Sequence, residues 1–503
     1  MITTSLAQLA QALGASGAPQ SSDFEVTSVV TDNRQVTPGA LFVAIAGERT
    51  DGNAYGADAL SRGATAVMTA NRDAAREAGV PGARMLVVED VVSALGMLAQ
   101  YNLERIRSLG SPDFTVVAVT GSVGKTTTKD LLADVLAPRG EIVAPPKSFN
   151  NEIGLPLTVL QADENTRTLV LEMGADHIGN IDYLTSIAPP DISVVLRVAP
   201  AHVGEFGGIE AVARAKAEII AGTRPSGHVV LNADDPRVYA MAAGTPLPIT
   251  YFSASGSALS SALSCDSSAE ELVPAARETI PANCICAEDI TIDDVGRARF
   301  TLVTAGGSAS VHLKLVGAHH VTNALAAASV AQILGQDMAQ TAQILSSAAA
   351  RSPHRMDVRS VEGMTIIDDS FNANPASMQA GIEALAQISQ ASQVPQGHRR
   401  RSVAVVGDML ELGAQSRSAH EAVGRSLASH GIDVVLSVGN EARIISESLE
   451  NSHAVAHHVD TASQALSWLR SHLRTDDVVL LKGSHGSQVW TIADAFFTEG
   501  VGC

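Results

Sequence analysis

Lys125 and Thr126 follow two glycines, Gly121 and Gly124, in the stretch AVTGSVGKTTTKD (118–130), directly after the apolar pair Val116 and Val117. Glycines in such a loop let the backbone turn so that its N–H groups face phosphate oxygens. The lysine supplies a point charge, and a hydroxyl at the start of a helix can ligate Mg²⁺. The full phosphate-loop pattern, Gly-x-x-x-x-Gly-Lys-[Ser/Thr], asks for a glycine where this chain has Val119. By itself the stretch therefore fits an ordinary strand–turn–helix equally well.

Further polar groups gather at the ends of apolar runs. Glu172 closes TLVLEMG (168–174), at the edge where α/β proteins place their sites, and a carboxylate there could hold a second Mg²⁺. Standing alone it reads as a solvent-facing glutamate. His202 follows ISVVLRVAPA (192–201), and a lone loop histidine is by default structural or merely exposed. Lys216 is more telling. In IEAVARAKAEIIAG (209–222) the residues Ile209, Val212, Ala213, Ile219 and Ile220 form an apolar stripe at spacings of three and four, and Lys216 falls on it. The sequence alone favours a lysine that snorkels its ammonium into water. The sharper alternative is a lysine of depressed pKa, open to carbamylation by CO₂. GAHHVTNALAAASV (317–330) sets His319 and Asn323 at the start of a helix, and DDSFNANPAS (368–377) puts Asp369 between a strand and a helix opening at Pro375. GDMLELG (407–413) and KGS (482–484) follow two more strands. Each group alone fits local turn and capping chemistry.

The elements that must carry these residues fall into three blocks: 1–112, 113–350 and 351–503. The first has short strands in ALFVAI (40–45), TAVMTA (65–70) and RMLVVED (84–90), after an N-terminal helix with Ile2, Leu6, Leu9 and Leu13 on one side. The second alternates apolar strands (115–119, 168–174, 192–198, 228–234) with helices, which predicts a doubly wound, mainly parallel sheet. Residues 253–286, rich in Ser and Ala, read as a surface excursion; ARFTLVT and SVHLKLV around Ala-Gly-Gly read as a hairpin. The third block repeats strand and helix through MTIIDDS, SVAVVGD, DVVLSVG and DVVLLKG, a smaller Rossmann-like α/β domain. The expected fold class is thus α/β in three domains, with the phosphate loop on the central sheet.

Composition narrows the function. With 34 basic against 53 acidic residues among 503, the chain carries a formal charge of −19, so no nucleic-acid partner is expected. Four cysteines, with Cys284-Ile-Cys286 the only close pair, suit free thiols in a reducing cytosol and no zinc site. No run approaches the roughly 20 apolar residues of a membrane span, and no signal peptide is evident. A cytoplasmic monomer is expected.

Taken together, the motifs resemble the Mur ligase family of bacterial peptidoglycan synthesis. The likeness runs through TDNRQVTPGALFVAIAGERTDG (31–52), TGSVGKTT (120–127), NNEIGLPLT (150–158), LEMG (171–174), AH (201–202), AKAE (215–218), GAHHVTNALAA (317–327), PHR (353–355) and DDSFNANP (368–375). Within the family, DDSFNANP, VVGDMLELG and LKGS are similar to the branch that joins D-Ala-D-Ala to UDP-MurNAc-tripeptide. The diamino-acid-adding ligase usually shows Asp-Asn-Pro-Arg in its last domain, which is absent here; folylpolyglutamate synthetase is a more distant alternative.

The resemblance implies an ATP-dependent amide ligase acting through an acyl phosphate. It places Gly121, Ser122, Val123, Gly124, Lys125, Thr126 and Thr127 around the phosphates of ATP. Thr126 would bind a first Mg²⁺, and Glu172, His202 and carbamylated Lys216 would guard a second. Lys125, Lys216 and His202 would be catalytic. His319 and Asn323 would contact adenine, and Arg355 and Asp369 would reach ATP from the third domain. Thr31, Asp32, Asn33 and Arg34 would hold the UDP end of the substrate. Departures from the family pattern at Asn33, Asn53, Arg197, Phe371 and His485 fall among substrate contacts and spare the catalytic set.

Overall fold

The computed structural model describes residues 1–16, 24–47, 50–110, 113–199, 206–255, 283–390, 399–450 and 452–501. Three α/β units follow one another, each on a sheet whose inner strands are Val-, Leu- and Ile-rich and buried on both faces. In the first, Ala40–Val43 and Ala66–Thr69 are buried throughout and lie in a four-stranded parallel sheet between Ser28–Val30 and Met85–Val87. The N-terminal helix spans Leu6–Leu13, with Leu6, Leu9 and Leu13 buried and a capping box between Ser5 and Gln8. Ile2, expected on that helix, precedes it, and its amide donates to Asn102 Oδ1 at 3.1 Å.

The central sheet has nine strands. Thr115–Thr120 lies between Thr166–Glu172 on one side and Ile192–Val195 on the other, parallel to both. The chain first runs outward to Glu141–Val143, beyond Thr166–Glu172, and later returns to the opposite side of Thr115–Thr120. The loop after Thr120 therefore opens where the strand order reverses, the crevice in which such sheets bind ligands. The parallel run continues through His228–Asn232, Ile249–Ser253 and Cys284–Ile292. It ends in the expected hairpin, Arg297–Thr304 with Gly307–Val316, closed by Thr304 opposite Gly307.

One expectation is corrected here. Both ends of the 253–286 excursion belong to the central sheet, with Ser253 beside Cys286 and Tyr251 beside Cys284. The Ser-rich composition hid two strand ends; residues 256–282 lie outside the described residues. Cys284 and Cys286 are free thiols, their sulfurs 3.5 Å apart.

The third unit has six strands. Val478–Lys482 is inserted between Met364–Asp368 and Ser402–Gly407, and Val434–Val438 and Val455–Val459 continue outward. The carboxyl ends of the three inner strands carry Asp368–Asp369, Gly407–Asp408 and Lys482–Gly483, so the polar motifs of this unit share one edge. Among the described residues no helix is long and apolar enough to cross a membrane.

Candidate active site

The phosphate loop is built by backbone conformation. Gly121 and Gly124 sit at φ +151° and +85°, and a Cβ on Gly124 would fall 2.5 Å from Asn323 Oδ1. Only glycine combines that conformation with that approach. Val119, buried and paired with Val194 and Glu172, is the last-but-one residue of its strand. Ser122 anchors the loop by donating its N–H to the Arg197 carbonyl at 2.8 Å and its hydroxyl to the Ala199 carbonyl at 3.0 Å. The helix Lys125–Leu136 has no side-chain cap at its start, which leaves its first amides to a ligand. Lys125 folds back to donate to the Gly121 carbonyl at 2.9 Å. Burial pushes its pKa down, Glu172 opposing and Arg355 reinforcing.

Glu172 is not solvent-facing: it is 1% exposed. Its carboxylate accepts from Thr126 Oγ1 at 2.9 Å and from Asn150 Nδ2 at 2.8 Å. Thr126 Oγ1 also lies 2.8 Å from Ser148 Oγ. Arg355, from the third unit, reaches both hydroxyls, with Nη2 at 3.3 Å from Ser148 Oγ and 3.4 Å from Thr126 Oγ1. Its guanidinium lies over the Phe371 ring at 4.1 Å, a cation–π contact that fixes the plane of the fork.

The snorkelling expected of Lys216 is overturned. It is 3% exposed, and its ammonium donates to the Ala175 carbonyl at 3.4 Å. The helix Ile209–Ala221 turns Val212, Lys216, Ile219 and Ile220 inward, whereas Ile209 and Ala213 are only partly buried. Burial, with the Lys125 ammonium nearby, lowers the Lys216 pKa to about 7.

Asn323 is buried and donates its Nδ2–H to His320 Nδ1 at 3.2 Å; His319 stands exposed, its ring centroid 4.1 Å from that of His320. Asp369 is held by the buried Lys482, whose Nζ is 2.5 Å from Oδ2. One cavity of about 1160 Å³ is lined by Gly121 to Thr127, Glu172, Lys216, His319, Asn323, Arg355 and Asp369, together with Ser148, Asn150, Phe371 and Lys482. Thr31–Arg34 stand apart from it. Asp32 caps the turn Asn33–Gln35 and pairs with Arg34 at 2.6 Å, a bond that holds its carboxyl down at about 2. Asn33 donates to Asp58 at 2.7 Å. His202 lies outside the described residues.

The donor set suits Mg²⁺. A buried carboxylate wants a cation, and Glu172 sits among hydroxyl oxygens of Thr126 and Ser148. Mg²⁺ takes one or two carboxylates and fills its octahedron with phosphate and water, so a sparse oxygen set is sufficient. Ser148 is a site residue that the motifs did not single out; its position two residues before Asn150-Asn151 was the available signal.

A phosphate loop at the switch point of a parallel sheet, faced by an arginine from a second α/β unit, defines a nucleotide-using α/β enzyme assembled from several units. Three family descriptions match in succession: the Mur ligase catalytic domain over residues 25–102, the middle domain over 119–331, and the glutamate ligase domain over 354–485. The chain belongs to the Mur ligase family. It is 38% identical to the UDP-N-acetylmuramoyl-tripeptide–D-alanyl-D-alanine ligase of Mycobacterium tuberculosis, over 99% of this chain and 98% of that one. It is 31% identical to the ligase of the same name from Escherichia coli, over 99% and 100%. MurF from Acinetobacter baumannii superposes with a TM-score of 0.80 at 28% identity, covering 99% of both chains. MurF ligase from Thermotoga maritima, solved in complex with ADP, gives 0.74 at 28% identity over 95% of this chain and 98% of that one.

Proposed function

We propose that this protein joins D-Ala-D-Ala to UDP-MurNAc-tripeptide, yielding the UDP-MurNAc-pentapeptide precursor of peptidoglycan. ATP phosphorylates the terminal carboxylate of the tripeptide; the dipeptide amine attacks the acyl phosphate, forming the amide and releasing phosphate. The observation that carries this reading is the meeting of Lys125, Thr126, Glu172, Lys216 and Arg355 in one cavity. That cavity, about 1160 Å³, exceeds the usual size of a single small-ligand site and suits a nucleotide beside a peptide chain.

The chemistry asks for charge neutralisation and positioning, with no protein nucleophile. Lys125 and the free amides of the loop hold the β- and γ-phosphates, and Arg355 covers the transferring group from the opposite side. Thr126 would hold one Mg²⁺, and Glu172, His202 and carbamylated Lys216 would hold a second. Bound there, the two ions supply charge neutralisation to the phosphates and to the carboxylate being activated. Asn323 and His319 receive the adenine, and Asp369, steadied by Lys482, the ribose side. Thr31–Arg34 hold the UDP end, away from the chemistry.

In this reading residues 1–112 bind the UDP end of the substrate, 113–350 form the ATPase unit, and 351–503 close over ATP and bring the dipeptide. The protein works as a monomer in the cytoplasm. The test is phosphate release with ATP, Mg²⁺, UDP-MurNAc-tripeptide and D-Ala-D-Ala, each omitted in turn. Release is expected only with all four; release independent of D-Ala-D-Ala, or none with the full mixture, sinks the reading.

A further inference from the structure

Arg355 crosses from the third unit to the phosphate loop, and the short segment that carries it is tied to both units. Upstream, Ser352 donates its hydroxyl to Asp130 Oδ2 at 2.7 Å, a bond 6% and 9% exposed at its two ends. Arg351 pairs with Asp134, one turn further along the same helix. Directly before Arg355, His354 binds the third unit: its Nδ1 lies 2.8 Å from Asp368 Oδ2, and its carbonyl accepts from the Phe371 amide at 3.2 Å. On either side of Arg355, His354 and Met356 both stand at positive φ, +59° and +50°. Residues with side chains hold that conformation only where the surroundings over-determine it.

Asp130 is itself fixed. It lies on the helix Lys125–Leu136, one turn beyond Thr126, with the buried Lys129 ammonium 2.5 Å from Oδ1. Lys129 also donates to the Pro145 carbonyl at 2.7 Å, at the start of the loop that delivers Ser148. The two hydroxyls that Arg355 meets, Thr126 and Ser148, and the carboxylate that holds Ser352 are thus tied to one lysine-centred cluster.

We propose that Asp130 and Ser352 are positioning residues of the ligase reaction: their buried bond registers segment 351–356 against the phosphate-loop helix so that Arg355 meets the transferring phosphate. This rests on the reading of Arg355 as a phosphate contact. Neither Asp130 nor Ser352 touches ATP; both act through Arg355. A buried hydroxyl-to-carboxylate bond between segments 222 residues apart has no role in a local turn, and an arginine fork is productive only within a narrow range of placement.

The test is a double-mutant cycle on kcat/KM for ATP in the full chain, using Ser352→Ala, Arg355→Ala and the pair, with Ser352→Thr as the hydroxyl-retaining control. Ser352→Ala is expected to lose about tenfold, the effect of one misplaced charged contact. Ser352→Thr should stay near wild type. In the Arg355→Ala background the same Ser352→Ala change should cost less than about twofold, because the group it acts through is gone. Three results overturn the proposal: wild-type activity in Ser352→Ala, full additivity in the pair, or a loss that merely tracks a lowered thermal midpoint. Wild-type turnover in Arg355→Ala is a different failure, since it removes the reading of Arg355 on which the proposal stands.

Discussion

Lys125→Ala is expected to lower kcat/KM for ATP by about a thousandfold while the protein stays folded. The lysine is a half-buried cation that, among the described residues, donates to the Gly121 carbonyl alone, so its removal leaves the strand, loop and helix in place. What disappears is the point charge at the β- and γ-phosphates, where a water-poor cleft makes a single fixed donor worth about 3–4 kcal/mol. Desolvation already pushes this ammonium towards neutrality, so the apo variant should melt no earlier than wild type. Steady-state phosphate release and a melting curve in the absence of nucleotide check both halves. Activity within threefold of wild type would remove the loop from the chemistry.

Lys216→Ala is expected to be inactive and to recover part of its turnover with formate or acetate. With a pKa lowered to about 7, the Lys216 amine is substantially neutral at physiological pH, the form that adds CO₂. The amine nitrogen bonds the carbon of CO₂ and releases a proton, and a buried cation becomes a carboxylate. In the alanine variant a short carboxylate can enter the vacated space and supply the missing charge. Full activity without added carboxylate would refute the carbamate. The same residue sets a pH dependence in CO₂-free buffer. The unfolded chain keeps the Lys216 proton up to the ordinary 10.5, whereas the folded chain sheds it near 7. The unfolded state binds more protons across that window, so folding stability rises with pH from about 7 to about 10.5. Lys216→Met, which keeps the stem and removes the charge, should stabilise the metal-free protein at neutral pH by on the order of 4 kcal/mol, seen as a raised unfolding midpoint.

Much of this site is legible in the residues, for reasons that differ from place to place. Val119 looks like a missing glycine only until its strand is drawn: it is a ladder residue between Val194 and Glu172, and the loop begins after it. The parallel strands were readable because buried strands are continuous apolar runs. Glu172 and Lys216 were placed on their elements, but their burial was not readable. Periodicity shows which side of a helix faces inward and not whether a cleft or a core lies there; the Lys216 side meets the cavity and Lys125. Long-range bonds such as Ser352 to Asp130 leave no local trace, since each residue reads as an ordinary polar side chain on its own segment. The strand ends near Ser253 and Cys284 were hidden by composition, which reports the average of a stretch and not the few apolar residues at its ends.

The most direct measurement follows oxygen through the reaction. UDP-MurNAc-tripeptide would be prepared with both oxygens of its terminal carboxylate as ¹⁸O and turned over with ATP, Mg²⁺ and D-Ala-D-Ala. Activation through an acyl phosphate sends one labelled oxygen into each released phosphate and leaves the other in the new amide carbonyl, both readable by mass spectrometry. Phosphate free of ¹⁸O, or label appearing in a nucleotide monophosphate, would contradict activation of the carboxylate by the γ-phosphate held at Lys125 and Arg355.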